Sequence, residues 1–268
     1  MIQEYSSEIT YNMFTSKQSY VQDFHLHNFY ELYLLLEGEL NFHIQNSCYH
    51  ISAGSLLVIN DLEVHKTINT GSSLFKRIYI HIPPDFFSKY LNEEISLDSC
   101  FKDRNVGEKN LIHLDKSQVK YFVRQYEHLK ETEKYHFPGK QLLLETHLLQ
   151  LLININNLYN NQTTSASFEY PKDTQDIIHY LEQHFSENIT LEAIAENLSL
   201  SKYYLCHMFK KNTGTTIFNY LLLFRISKAK MLLSQGKNVT EACELAGFRD
   251  YANFITSFKK VTGYTPKK

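Results

Sequence analysis

The feature that most constrains this chain is a repeat near its end. Residues 189–214 read ITLEAIAENLSLSKYYLCHMFKKNTG and residues 239–263 read VTEACELAGFRDYANFITSFKKVTG. Phe209-Lys210-Lys211-x-Thr213-Gly214 aligns on Phe258-Lys259-Lys260-x-Thr262-Gly263, and the copies run in register back to the turn. There the second copy carries one extra residue, so that Ala195 falls on Cys243. Each copy reads as a short helix, a tight turn and a second short helix ending in a basic pair. That is the pattern of a helix-turn-helix that reads DNA.

Local signals fix the faces of these helices. Thr190 and Ser201 are N-caps in the first copy; Asp250 is an N-cap in the second, where Asn238-x-x-Glu241 forms a capping box. Gly214 fits a left-handed C-cap. By spacing, Ile194, Ala195, Leu198, Leu205, Met208 and Phe209 face inward. So do Ala242, Cys243, Leu245, Phe254 and Phe258. Lys202, Tyr203, Cys206 and His207 fall on the opposite face of the first recognition helix. Tyr251, Ala252, Ile255 and Thr256 do so in the second. Lys210, Lys211, Lys259 and Lys260 close the two helices, where phosphates would lie. A long helix over about 217–234, with Leu221, Phe224, Ala229, Leu232 and Leu233 inward, packs between the copies and ends at Gly236.

Charge agrees with this division. The chain has a net charge of -2, but from Pro171 onward 13 Lys+Arg face 9 Asp+Glu, and before it 14 face 20. The basic part carries the repeat, as phosphate contact requires. Cys48, Cys100, Cys206 and Cys243 form no CxxC pair, and read as separate thiols of a reducing cytoplasm. No basic and apolar leader opens the sequence, and no apolar run reaches membrane-spanning length.

The first 114 residues read as β-rich. Leu32, Leu34 and Leu36 alternate with their neighbours, as do Leu40, Phe42 and Ile44. Gln45-Asn46-Ser47 is a hairpin loop, and Ala53-Gly54-Ser55 and Gly71-Ser72-Ser73 break the chain. Short strands at this spacing predict a barrel or sandwich. Residues 115–159 read as two helices. Val119, Phe122, Val123, Tyr126 and Leu129 mark the first, and Phe137-Pro138-Gly139 stops it. Leu142, Leu144, Leu148, Leu149, Leu151, Leu152 and Ile155 mark the second. This apolar face is wider than one packing partner needs, so part of it is expected to join two protomers. Residues 160–170, polar and small at first, are expected to be a linker to the domain at 171–268.

Two resemblances follow. His25-x-His27-x3-Glu31-x6-Gly38, with Gly54 and His65, resembles the motifs of a small cupin barrel. The double helix-turn-helix, Arg225-x-x-Lys228-Ala229 and the closing Gly-Tyr-Thr-Pro resemble the DNA-binding domain of AraC/XylS regulators. Together they imply a multi-domain protein: an N-terminal all-β cupin-like barrel with a helical hairpin, and a C-terminal all-α double helix-turn-helix. They imply a sequence-specific transcriptional regulator rather than an enzyme. It would be cytoplasmic and dimeric, bind promoter DNA and, if an activator, meet RNA polymerase. A small effector, a sugar or other metabolite, would bind in the barrel.

Effector contacts are expected among His25, His27, Glu31, Tyr33, His43, His65 and Tyr79, with His81 as a further donor. Strand alternation allows only about half of them inside. In metal-binding cupins the matching ligands would be His25, His27, Glu31 and His65, a set suited to Mn, Fe, Ni or Zn. The second motif lacks a Pro before Gly54, and no metal or other cofactor is expected. The alternatives are a metal-binding cupin, as enzyme or metal sensor, fused to a DNA-binding module, and a barrel that only dimerises. A pH sensor is a further alternative, prompted by 13 histidines. His207 and Thr256 stand where many relatives carry Arg, which removes bidentate guanine reading at both places. Base contact is expected from Lys202 and His207. Thymine methyl packing is expected from Ala252 and Ile255, and phosphate bonds from Tyr203 and Tyr251.

Overall fold

A computed structural model describes residues 8–18, 20–69, 74–90, 96–161 and 168–267. Eight strands come first: β1 (Thr10–Ser16), β2 (Tyr20–Val21), β3 (Tyr30–Glu37), β4 (Glu39–Ile44), β5 (Ser47–Ser52), β6 (Ser55–Ile59), β7 (His65–Asn69) and β8 (Phe75–Ile82). Then follow α1 (Pro84–Ser88), α2 (Ser99–Lys102), β9 (Leu111–His113), α3 (Lys116–Glu133), α4 (Lys140–Asn161) and β10 (Phe168–Glu169). The remainder is helical: α5 (Lys172–His184), α6 (Leu191–Asn197), α7 (Lys202–Thr213), α8 (Ile217–Ser234), α9 (Val239–Leu245) and α10 (Tyr251–Thr262).

The strands form two antiparallel five-stranded sheets, ordered β1-β8-β3-β6-β9 and β10-β5-β4-β7-β2. Alternation along β3 divides the core. Leu32 and Leu34 point outward with Ile78 and Ile80, and α3 and α4 cover them through Phe122, Leu129, Leu148 and Leu152. Tyr33 and Leu35 point inward and pack between the sheets with Phe42, Tyr49, Leu57 and Phe75. Each such side chain contributes ~1.5–3 kcal/mol by leaving water. Gln45 takes φ 51 at the β4–β5 turn, the hairpin read from Gln45-Asn46-Ser47.

In the fold, sequence and structure differ along the linker stretch and on α9. The stretch read as linker starts inside α4 and ends in β10, which pairs with β5 through Phe168 and Cys48. An unpaired sheet edge accepts any extended segment of suitable reach, and polar composition does not reveal that. Residues 162–167, the polar middle of that stretch, lie outside the described residues, as do Gly71-Ser72-Ser73. Leu245 is 49% exposed. The inward positions of α9 are Ala242 and Cys243, followed by Ala246 just beyond it. A 3–4 spacing through these leaves Leu245 on the outer face.

The helical half docks onto the second sheet. Phe24, Leu26 and Val64 of the barrel belong to the same apolar core as Ile177, Phe209, Tyr220 and Phe254. Phe24 meets the Tyr220 ring edge-on at 5.7 Å. Tyr170 stacks on His43 at 5.0 Å.

Candidate DNA-reading surface and the histidine nest

The recognition helices are built as their caps require. Thr190 accepts from the Ala193 N–H, Ser201 from Tyr204 and Asp250 from Asn253. Asn238 and Glu241 form both halves of a capping box. Gly214 and Gly263 end α7 and α10 in the left-handed conformation, at φ 69 and φ 86. With Leu205, Met208, Phe209, Phe254 and Phe258 buried, one face of each helix is left to solvent.

On α7 that face exposes Lys202, Tyr203, Cys206, His207, Lys210 and Lys211. Tyr203 is 81% exposed, and its ring lies parallel to His207 at 6.0 Å. Lys202 pairs with Glu192 at 2.7 Å; both are exposed, and such a pair holds its partners weakly enough to yield to a phosphate or base. On α10 Tyr251, Ala252, Thr256, Lys259 and Lys260 are exposed. Ile255 is half-buried and packs on the core, so it offers less to a thymine methyl than its spacing implied. Thr256 donates its hydroxyl to the Ala252 carbonyl at 2.9 Å. This surface can take up a polyanion through lysines at the helix ends and present polar side chains between them.

In the barrel, the sequence-predicted polar residues separate. Register sets Glu31 opposite His81 across β3 and β8, and a bridge pairs His25 with His65. The sheets thus bring five side chains to one end of the interior. His27 Nε2 lies 3.0 Å from Glu31 Oε2, His65 Nε2 3.4 Å from the same oxygen, and His81 Nε2 3.7 Å from Oε1. The His25 and His65 rings are 4.2 Å apart and those of His27 and His65 4.7 Å. Tyr79 flanks His81 at 4.9 Å. Tyr33 lies on the same face of β3 as Glu31 but within the apolar packing, and burial pushes its hydroxyl up to about 12.

His43 does not join them. On β4 it alternates with the inward Phe42 and Ile44, and it meets Phe24, Cys48 and Tyr170 outside the barrel. It is removed from the interior set. His81 belongs there more firmly than Tyr33, and the two-residue alternation back from His81 to Phe75 was the signal for it.

Burial dominates the electrostatics of this nest. It lowers His27 to about 4 and His25 well below the ordinary imidazole value, so both rings are neutral near pH 7. Burial alone would raise the Glu31 carboxyl, but its bonds with His27, His65 and His81 outweigh that and hold it well below the usual range. A carboxylate beside the neutral rings of His25 and His27 puts those three groups in the protonation states a metal requires. Among the described residues, His27 Nδ1 has no hydrogen-bond partner. The ligand atoms of His25, His27 and His65 lie within 4.8 Å of one another, as do those of His27, Glu31 and His81. These residues fit a divalent transition metal, and equally the hydroxyls of a small polar ligand.

Two lysines outside the predicted sites bind the halves together. Lys66, buried on β7, donates to the Thr213 carbonyl at the end of α7, and burial lowers it to about 8. Lys230, buried on α8, pairs with Asp61 at 3.1 Å and donates to the His27 carbonyl at 3.2 Å. Beside Lys230, Ser227 Oγ donates to the Leu62 carbonyl at 2.6 Å. A crevice of about 640 Å³ opens along this seam, lined in part by Gln45, Leu62, Arg104, Glu182, Ser227 and Lys228. No sequence signal separated Lys66 and Lys230 from ordinary surface lysines.

Known proteins share both halves. Over 238 residues, 85% of this chain and 80% of the relative, the sequence is 28% identical to an uncharacterized HTH-type transcriptional regulator, YbfI, of Bacillus subtilis. Over 246 residues, 91% of this chain and 85% of the relative, it is 27% identical to the HTH-type transcriptional activator RhaS of Escherichia coli. Among solved structures, a single-residue variant of apo ToxT from Vibrio cholerae matches 98% of this chain and 97% of its own at 14% identity, with a TM-score of 0.42. Residues 194–268 match a helix-turn-helix domain, and residues 13–152, over half of the chain, match the AraC-like ligand binding domain. The chain therefore belongs to the AraC family of transcriptional regulators, with a ligand-binding barrel joined to a helix-turn-helix DNA-binding domain.

Proposed function

We propose that this regulator is a cytoplasmic homodimer that activates transcription when a small effector occupies the nest of His25, His27, Glu31, His65 and His81. The observation that carries the DNA-binding part is the pair of capped recognition helices, each open to solvent on one face and ending in two lysines. RhaS, named an activator, supports the direction, and as an activator this regulator would meet RNA polymerase as a further partner. Among the described residues no helix is long and apolar enough to cross a membrane. The barrel interior beyond the nest is filled by Tyr33, Phe42, Tyr49 and Phe75, which favours an effector the size of a monosaccharide or less. On α4, Leu142 is 68% and Ile153 46% exposed, with Leu149 half-buried between them. Their spacing of seven and four residues is a seam for the same helix of a second protomer.

Selection of duplexes from a random pool by the full-length protein tests the reading. Recovery of a paired site with half-sites about one helical turn apart is expected. Recovery of no sequence at low salt would refute it. Sedimentation of L142E/I153E is expected to show monomers where the parent protein shows dimers.

A second reading, a metal-responsive barrel, is favoured by the convergence of donor atoms in the nest. It predicts stoichiometric zinc, nickel, iron or manganese in the purified protein, lost in both His27→Ala and His65→Ala. Metal-free protein that also fails to bind these ions in titration calorimetry excludes it.

A further inference from the structure

We infer that the seat of α8 on the barrel is a signalling contact: the two backbone segments that hold Lys230 and Ser227 are the ones that carry the histidine nest, so occupancy of the nest shifts the docking of the DNA-binding half. This rests on reading the nest as the effector site.

The connection runs through two short paths. His27 offers its ring to Glu31 and its own carbonyl to Lys230. The β6–β7 loop does the same over three residues. Asp61 takes Lys230 with its carboxylate and its carbonyl, Leu62 accepts from Ser227, and the Glu63 carbonyl pairs with His65 Nδ1 at 2.8 Å. On the first path a single residue, His27, carries both the ring and the carbonyl that takes the ammonium. On the second, the Glu63 carbonyl that holds the His65 ring lies two residues beyond Asp61. A ligand that draws His27 or His65 towards itself pulls on the segments whose carbonyls α8 leans on.

The loop is stiff enough to pass such a movement on. Glu63, wholly buried, accepts from Arg104 at 2.5 and 2.8 Å, from the Gly107 N–H at 2.7 Å, from Asn110 at 2.9 Å and from the Asn60 N–H at 2.8 Å. A loop fixed at this many points shifts as a body instead of absorbing displacement in its own torsions.

The chemistry of the contact also suits release. Lys230 and Lys66 are ammonium groups drawn out of water, and each loses hydration that its partners must replace. Lys66 meets a carbonyl, not a carboxylate, at the end of α7. An interface selected only for permanence is made more firmly from apolar groups of similar volume. Here a modest change in partner geometry alters the balance. Docking leaves Lys202, Tyr203, His207, Lys210 and Lys211 exposed, so the contact acts through how the recognition helices are presented, not by covering them. Because α8 joins the two copies, its seat positions both.

Hydrogen exchange and solution scattering on the full-length protein, without any effector, test this. Lys230→Met is expected to speed exchange about tenfold over residues 24–29 and 60–65, the loss of one charge-assisted bond, and to enlarge the radius of gyration. Unchanged exchange and scattering would overturn the docking role of Lys230. His81→Gln perturbs the nest from β8, in the other sheet, and is expected to speed exchange over residues 227–230 of α8 severalfold. If that variant does not fold, His25→Gln at the half-buried rim is read in the same way. A disturbed nest with α8 exchange unchanged would overturn the coupling. Failure of the effector reading looks different: coupling in exchange persists, while neither metabolites nor metal ions bind the nest in calorimetry.

Discussion

The two helix-turn-helix copies share their caps and basic ends, yet they are held differently. The first ends at Thr213, whose carbonyl is gripped by Lys66 of the barrel. A Cβ on Gly214 would come within 2.6 Å of that ammonium. The second passes Gly263 to Tyr264, whose hydroxyl donates to Asn28 at 3.1 Å, a half-buried neutral bond. The turns differ as well. Ser199 takes φ 54 in the first, and Gly247 takes φ 84 at the matching place in the second. A Cβ at 247 would collide with the Phe185 carbonyl and Ser186 Cα, whereas Ser199 carries its own Cβ at the equivalent turn. One motif used twice is therefore a reading head that the sensor holds firmly at one copy and lightly at the other. Sensor control enters through the first copy and α8.

The largest way to break this asymmetry is to remove the brace behind the firm side. Glu63→Gln leaves Arg104 buried without its carboxylate, and breaking such a pair costs ~3–5 kcal/mol. Denaturant unfolding is expected to show this loss, and α8 to lose exchange protection with it. An unfolding midpoint within error of the parent would mean that the loop does not depend on Glu63.

Next comes the turn. Gly247→Ala forces both a strained φ and a backbone collision, of order 1–3 kcal/mol. The expected signature is a footprint reduced to the half-site of the first copy. Ser199→Gly should leave both half-sites protected. Equal damage from the two substitutions would show that the turns are equivalent after all.

Much of this was legible in the sequence, and the reasons are local. The caps Thr190, Ser201, Asp250 and Asn238, the C-cap Gly214 and the core positions of α7 and α10 each follow from short-range rules, and the structure agrees with them. Alternation also marked which of Leu32, Tyr33 and Leu34 share a face. What stayed hidden depends on contacts between segments far apart in the chain. Lys66 and Lys230 read like any solvated lysine, and only the packing of β7 and α8 against the other half buries them. His43 sat in a plausible list with His65 because sequence supplies alternation without saying which parity is inward. The strand at Phe168–Glu169 formed from a stretch whose composition suggested only a tether.

A smaller effect separates positioning from reading. Lys210→Ala and Lys259→Ala are each expected to weaken binding to all duplexes alike and to lower the salt slope by about 1. Lys202→Ala with His207→Ala is expected instead to relax sequence preference, at about 1–3 kcal/mol of lost discrimination at most, since neither side chain offers an arginine's bidentate fork. Gel shifts over a salt series with matched and mutated sites separate the two classes. If the Lys202 and His207 variant discriminated among sites as well as the parent, base reading would have to be reassigned to the second copy or to DNA shape.

The smallest expected effect probes the support beneath the first copy. Glu182, half-buried on α5, accepts from the Tyr220 hydroxyl of α8 at 3.3 Å. Burial raises its carboxyl above the usual value, against the opposing pull of Tyr220, Lys228 and His179. A carboxyl whose pKa is higher when folded than when unfolded binds its proton more readily in the folded state. Its charged form is therefore a penalty at neutral pH, and the penalty fades as pH falls through the raised value towards the unfolded one. Glu182→Gln removes the charge and keeps an acceptor for Tyr220. Its melting temperature is expected to exceed the parent's at pH 7 and to converge with it near the ordinary glutamate value, about pH 4. A variant less stable than the parent at pH 7 would mean that Glu182 is needed as an anion there, held by Lys228 of α8, and the firm side of the molecule would then owe part of its firmness to that pair.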